Sequence, residues 1–214
     1  MNHLKMKWKV HCVIYDCDGV LFDSFEANTR LYNDLCAMVG RGPLMEDEMK
    51  YVHTHTVFEA IHFIFGKEND LEKKALDILK QKEIDLKNYI DYLKMEPHLV
   101  EALEKLKEKG MLRAINTNRT TSMKYIMERF NLWPYFEMVV TALDVEHPKP
   151  HPESIEKIIR ELHLDREEAV FIGDSDVDQQ TARSSGIKFI AYKNKDIGND
   201  ALIEDHLDVI KLLS

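Results

Sequence analysis

Five short apolar runs stand out along the chain, each ending abruptly in polar or turn-forming residues. They are Val10–Tyr15, Met111–Ile115, Phe136–Thr141, Ala169–Ile172 and Ile187–Tyr192. Runs of this length read as strands, and their continuous rather than alternating apolar character reads as burial on both faces. Between them the apolar spacing is helical. Val100, Leu103 and Leu106 define a helix over 97–109, with Pro97 suited to its first turn and Gly110 to its close. Further helices are predicted over 122–130, over 154–162 with Ile155, Ile158 and Ile159 inward, over 179–185 closed by Gly186, and over 200–213. Strands alternating with helices predict an α/β fold: a parallel sheet with helices on both faces.

Residues 24–94 break this alternation. Helical spacing recurs there in Leu31, Leu35 and Met38, in Val57, Ile61, Ile64 and Phe65, and in Leu71, Ala75, Ile78 and Leu79. Gly40, Gly42 and Pro43 interrupt it once, and the stretch from Gly66 to Asp70 interrupts it again. The reading is therefore an α/β core domain made of 1–23 and 95–214, with an α-helical domain inserted at 24–94.

The ends of the predicted strands carry unusual polar groups. After the first come Asp16, Cys17, Asp18 and Gly19. In an extended chain Asp16 and Asp18 point the same way, and two converging carboxylates repel unless a cation or a chemical task holds them. Thr117 and Asn118 follow the second strand, Lys149 lies in the loop after the third, and Asp174 and Asp178 follow the fourth. Each cluster alone has a plain structural reading: a polar turn, a helix cap, a rigid proline turn around a solvated Lys149, an acidic helix start. A parallel sheet, however, brings all four strand ends to one edge, where ligands of open α/β folds bind. A calcium loop of the EF-hand kind is excluded, because the third oxygen ligand before Gly19 is missing.

Composition narrows the class. The chain has 214 residues, 44% of them hydrophobic and 31% charged, the proportions of an ordinary globular protein. Its net charge of −9 disfavours nucleic-acid and anionic-membrane partners. No apolar stretch reaches membrane-span length, and the basic N-terminus MNHLKMKWKV lacks the apolar centre of a signal peptide. Cys12, Cys17 and Cys36 have neither even number nor metal-site spacing, so reduced, buried thiols in a cytoplasmic protein are expected.

The strings DCDGVLFDS, INTNRT, PKPHPE and IGDSDVD, in this order and spacing, resemble the four motifs of the haloacid dehalogenase superfamily of phosphohydrolases. The helical insertion directly after the first resembles the cap of the phosphoglycolate phosphatase and β-phosphoglucomutase branch. The departure is Asn116, where an apolar residue is more usual. The resemblance implies a Rossmann-like core and a role for each residue. Asp16 would be the nucleophile and Asp18 the general acid and base. Thr117 and Asn118 would hold phosphoryl oxygens, and Lys149 would neutralise charge. Asp16, Asp174 and the backbone carbonyl of Asp18 would bind Mg²⁺, with Asp178 orienting Lys149 or a metal-bound water. The implied activity is hydrolysis of a small phosphorylated metabolite, phosphoglycolate first, by a monomer or homodimer. A phosphomutase and a non-catalytic phosphate-ligand-binding protein on the same fold are the alternatives. The mutase branch tends to carry an acidic pair where this chain has Gly173-Asp174.

In the insertion, His53 and His55 are candidates for selecting the leaving group, against a reading of them, and of His62, as surface or packing residues. Arg30 and Arg119 read as exposed ion pairs, with contact to a substrate anion as the alternative. The ten Met residues read as core filling.

Overall fold

The computed structural model describes residues 8–81 and 83–213; most of the basic N-terminal run lies outside them. In chain order, strand β1 (Cys12–Tyr15) leads through a tight loop to β2 (Phe22–Asp23). Five helices follow: α1 (Phe25–Val39), α2 (Glu46–Val52), α3 (Val57–Phe65), α4 (Asp70–Lys80) and α5 (Lys87–Ile90). The chain then returns through β3 (Lys94–Met95) and alternates: α6 (Leu99–Glu108), β4 (Leu112–Asn116), α7 (Ser122–Arg129), β5 (Met138–Val140), α8 (Glu153–Glu161), β6 (Ala169–Gly173), α9 (Asp176–Ser185) and β7 (Lys188–Tyr192). It finishes with β8 (Ala201–Ile203) and α10 (Leu207–Leu212).

Six strands form one parallel sheet in the order β5-β4-β1-β6-β7-β8. β1, β4 and β6 at its centre are buried on both faces. Val13, Tyr15, Ile115 and Ile172 point into one layer of apolar side chains with Leu103 and Ile126. Ile14, Ala114 and Phe171 point into the other with Ile155 and Ile158. This is why these strands read as unbroken apolar runs: each face has its own helices to cover it. Helices α1 to α4 enclose a third cluster, including Leu35, Cys36, Ile61, Ile64, Ala75 and Ile78, separate from the two sheet layers.

The structure corrects several boundaries. Residues 200–213 are not one helix, because Ala201–Ile203 extends the sheet as β8 beside β7. A three-residue edge strand is too short for periodicity to separate it from helix. α2 and α5 were not expected; α2 is mostly polar and buries only Glu48 and Val52. α9 begins at Asp176 rather than Gln179, since Ser175 caps it by accepting from the Asp178 N–H at 3.2 Å. Pro97 lies just before α6, which opens at Leu99.

Cys12, Cys17 and Cys36 are buried and unpaired. Among the described residues no helix is long and apolar enough to cross a membrane.

Candidate active site

Strand register brings the motifs together. Tyr15 is level with Ile115 on one side and Ile172 on the other, and Ile115 is level with Val139. One or two residues further on, Asp16, Thr117 and Asp174 therefore leave the sheet side by side. Asp16 N–H donates to the Ile172 carbonyl at 2.9 Å, and Thr117 N–H to the Val140 carbonyl at 3.0 Å, so each residue starts from a fixed backbone.

Lys149 comes from the loop before α8 and is 4% exposed. Its Nζ donates to Asp16 Oδ1 at 2.8 Å and to Asp178 Oδ1 at 2.7 Å. Burial alone would lower the lysine pKa, but the two carboxylates outweigh it and hold the ammonium firmly charged. The other oxygen of Asp178 accepts from Ser175 Oγ at 2.6 Å and from the Ser175 N–H at 3.2 Å. Asp178 is thus fully engaged, and it aims the lysine at Asp16.

Asp174 completes the cluster. Oxygens of Asp16, Asp174 and Asp178 lie within 4.8 Å of one another. Burial, and then repulsion by Asp178, push the carboxyls of both Asp16 and Asp174 upward, despite Lys149. Three carboxylates and one ammonium leave an excess of negative charge in a water-poor place, and the donors are all hard oxygens. That set fits a hard divalent cation. Asp16 and Asp174 are the side chains free to hold it, because Lys149 and Ser175 occupy Asp178. Two glycines make the packing possible. A Cβ on Gly19, whose φ is +74°, would lie 2.0 Å from Asp174 Oδ2. A Cβ on Gly173 would lie 2.3 Å from Asp178 Cβ, so no acidic side chain fits beside Asp174.

Asp18 stands apart from this cluster. Arg119 grips it with both arms of the guanidinium, Nη2 to Oδ1 at 2.6 Å and Nε to Oδ2 at 2.8 Å. The two side chains are only 14% and 13% exposed. Burial alone would raise the Asp18 carboxyl, but Arg119 reverses this and holds it below the ordinary carboxylate range. The expectation of an exposed ion pair at Arg119 is corrected. Its ion pair is largely buried and engages a motif residue 101 positions away in sequence. Arg30 does behave as expected, pairing with Glu26 at 3.0 Å on the surface.

Asn28 of α1 extends the network, donating to Asp18 Oδ1 at 3.2 Å and lying 3.3 Å from His53 Nδ1. His53 and His55 both line the cavity above Asp16, Asp18 and Lys149. Both rings are stacked, His53 on Phe25 with centroids 4.8 Å apart, and they differ in their polar partners. His53 Nε2 is buried without a partner. The His55 ring is stacked on Tyr51 with centroids 3.7 Å apart, and its Nδ1 lies 3.0 Å from the Tyr51 carbonyl. His62 is remote, paired with Glu72 at 3.0 Å. Thr117 Oγ1 accepts the Arg119 N–H at 3.1 Å, and the Asn118 side chain donates to the Lys149 carbonyl at 3.2 Å. The cavity measures about 80 Å³, with Leu31, Val52, Leu86 and Tyr89 on its insertion side.

A phosphoglycolate phosphatase from Rhodobacter capsulatus is 28% identical over 187 residues, covering 84% of this chain and 83% of the relative. A pyrophosphatase PpaX from Bacillus cereus is 25% identical over 185 residues, covering 86% and 83%. The crystal structure of a subfamily IA hydrolase of the haloacid dehalogenase superfamily from Geobacter sulfurreducens superimposes with a TM-score of 0.78 at 36% identity, covering 97% of this chain and 98% of that one. The haloacid dehalogenase-like hydrolase family matches residues 13–192, a span that runs from within β1 to the end of β7 and takes in every motif described above. The chain belongs to the haloacid dehalogenase-like hydrolases.

Proposed function

We propose that the protein is a Mg²⁺-dependent phosphatase of a small phosphorylated metabolite, working through a phosphoryl group held transiently on Asp16. The observation that carries this reading is the convergence of Asp16, Asp174 and Asp178 at the sheet's carboxyl edge, with one buried lysine bridging Asp16 and Asp178. Such a concentration of buried carboxylates is costly unless a cation and an anionic substrate use it.

Mg²⁺, held by Asp16, Asp174 and the Asp18 carbonyl, would neutralise phosphoryl oxygens. Lys149 takes Oδ1 of Asp16, so Oδ2 is the oxygen that attacks phosphorus. An Asp16–phosphorus bond forms as the ester oxygen–phosphorus bond breaks, and the departing oxygen takes a proton from Asp18. Asp18 then accepts a proton from water. The resulting hydroxide attacks phosphorus, releasing phosphate and restoring the Asp16 carboxylate. Thr117 and Asn118 steady the phosphoryl oxygens, and Lys149 offsets their charge.

Arg119 adds a condition. While it grips Asp18, the carboxyl stays ionised and has no proton to give. A substrate anion drawing the guanidinium toward itself would free Asp18 for the first step. In this reading residues 24–94 are a cap over a core of 1–23 and 95–214, and His53 is the cap group turned to the leaving group. The small cavity favours a compact leaving group, which suits phosphoglycolate or pyrophosphate, the substrates in the relatives' names.

The test is a panel of phosphate esters with Mg²⁺, including phosphoglycolate, hexose phosphates, nucleotides and pyrophosphate. Turnover should stop in EDTA. Acid-quenched parent should retain label from a radiolabelled substrate, whereas Asp16→Asn should retain none. Turnover that persists in EDTA, or a folded Asp16→Asn protein with more than a few per cent of parent activity, refutes the mechanism.

A further inference from the structure

A second group of potential metal ligands lies outside the cavity, on the loop that carries Lys149. His147, His151 and Glu153 each bring a donor atom to within 4.8 Å of the other two. The Glu153 carboxylate is already fixed. Its Oε1 accepts the Glu146 N–H at 2.9 Å, and its Oε2 accepts the His147 N–H at 2.9 Å. These two backbone bonds hold its carboxyl below the usual range, so it stands ionised. Nδ1 of His147 lies 3.1 Å from Oε2 and Nδ1 of His151 lies 3.9 Å from it. The two imidazoles face each other with centroids 4.7 Å apart.

The loop supports this arrangement. Pro148, Pro150 and Pro152 alternate with the residues that matter, which restricts the backbone between the two histidines. The donor chemistry also differs from that of the active site. Two imidazoles and one carboxylate favour zinc-class ions, whereas an all-oxygen cluster favours Mg²⁺. Both histidines are half exposed to solvent; His151 Nδ1 accepts the Glu153 N–H at 3.3 Å, a bond that an ion on that nitrogen would displace.

We propose that His147, His151 and Glu153 form a surface site for a divalent transition ion of the zinc class. A three-residue site leaves a further position open, and His147 and His151 line a groove that also includes Glu59 and Ser184. The ion ties together the two ends of the turn whose middle residue is Lys149, and so clamps the loop that delivers the lysine to Asp16. The site is separate from the proposed Mg²⁺ position and does not depend on the phosphatase reading.

The test uses metal-stripped full-length protein in excess Mg²⁺, which keeps the active-site carboxylates occupied, titrated with Zn²⁺ by calorimetry. One equivalent should bind. His147→Ala and His151→Ala should each weaken binding by about tenfold or more, and the double variant should abolish it. Asp174→Asn should leave it intact. Co²⁺ in place of Zn²⁺ should give the visible absorption bands of imidazole ligation in the parent and not in the double variant. Zn²⁺ should raise the melting temperature of the parent and of Asp174→Asn but not of the double variant. A parent-like circular dichroism spectrum and cooperative melting show that the double variant is folded; should that variant fail to fold, the single variants carry the titration. Equal Zn²⁺ binding in parent and variants overturns the proposal, as does binding that disappears in excess Mg²⁺ or with Asp174→Asn.

Discussion

Replacing Lys149 by Met removes the one buried ammonium of the carboxylate cluster while keeping a long, flexible side chain. At an effective dielectric of about 20, opposite unit charges 2.8 Å apart attract by about 6 kcal/mol, and Lys149 makes two such contacts. Desolvation offsets most of that. The net loss on removing one member of a buried pair is about 3–5 kcal/mol, a drop in melting temperature of about 6–20 °C for a chain of this size. The loss depends on pH in a definite direction. Burial and repulsion already raise the folded-state pKa of Asp16 above its unfolded value of 3.8. Without Lys149 it rises further, so the folded state holds its proton more tightly than the unfolded state does. Up to about pH 7 parent and variant both keep this proton, so the deficit is level; above about 7 the parent releases it while the variant does not, and the deficit grows with pH by up to about 1.4 kcal/mol per pH unit for each carboxyl that keeps its proton. Mg²⁺ should restore part of the stability by taking over the lysine's charge. Urea unfolding of parent and variant, with EDTA or Mg²⁺, at several pH values, measures all three effects. A variant in EDTA as stable as the parent at pH 8, or a deficit that shrinks as pH rises, refutes the account of the cluster.

Gly19→Ala should weaken activation by Mg²⁺ about tenfold or more, since the new methyl group would occupy the place of Asp174 Oδ2; Mg²⁺ titration of turnover reads the shift. Arg119→Met should destabilise the protein by about 3 kcal/mol at neutral pH. Because Asp18 is held low, the stability this pair supplies is present above the unfolded value of 3.8 and is lost as pH falls below it, so the variant's acid limb should be flatter in urea titrations. Asn116→Leu should stabilise by about 1–3 kcal/mol with turnover retained, because both polar atoms of this buried side chain lack partners; a less stable variant would overturn that reasoning. His53→Ala should reorder the ester panel in kcat/KM, whereas His55→Ala, stripped of its stack on Tyr51, should lower stability and leave the order alone.

What could be read in advance followed from strands with one unambiguous period and environment. β1, β4 and β6 are covered on both sides, so their apolar runs are continuous, and the residue at which each run stops is the residue that emerges at the edge. Asp16, Thr117 and Asp174 were legible for that reason. Arg119 was not, since a charged residue after a strand has the same local signature whether it faces water or pairs with Asp18 across the fold. His53 and His55 share a loop and a residue type. Only the ring each stacks on, Phe25 for His53 and Tyr51 for His55, and the free Nε2 of His53 separate them, and both depend on how the insertion packs. β8 and α2 escaped because one is three residues long and the other is mostly polar.

The ribbon of β2 and β3 carries a consequence for how such a protein can diverge. Phe22 pairs with Met95 and Asp23 with Lys94, and this ribbon joins the insertion to the sheet. It is also continuous with the turn bearing Asp18: Leu21 and Phe22 donate to the Cys17 carbonyl at 3.0 and 3.1 Å, and Gly19 donates to the Phe22 carbonyl at 2.8 Å. A lever attached at Phe22 therefore ends, four residues earlier, on the Asp18 side chain. Any foreign helical insertion grafted onto this sheet would inherit that linkage. Transplanting 24–94 alone would deliver a new ceiling on a mismatched mount, tilting Asp18 before any substrate arrived. The exchangeable unit is larger than the helices themselves and includes the turn after Asp16 and the returning strand through Glu96, whose N–H holds the Leu21 carbonyl at 3.0 Å.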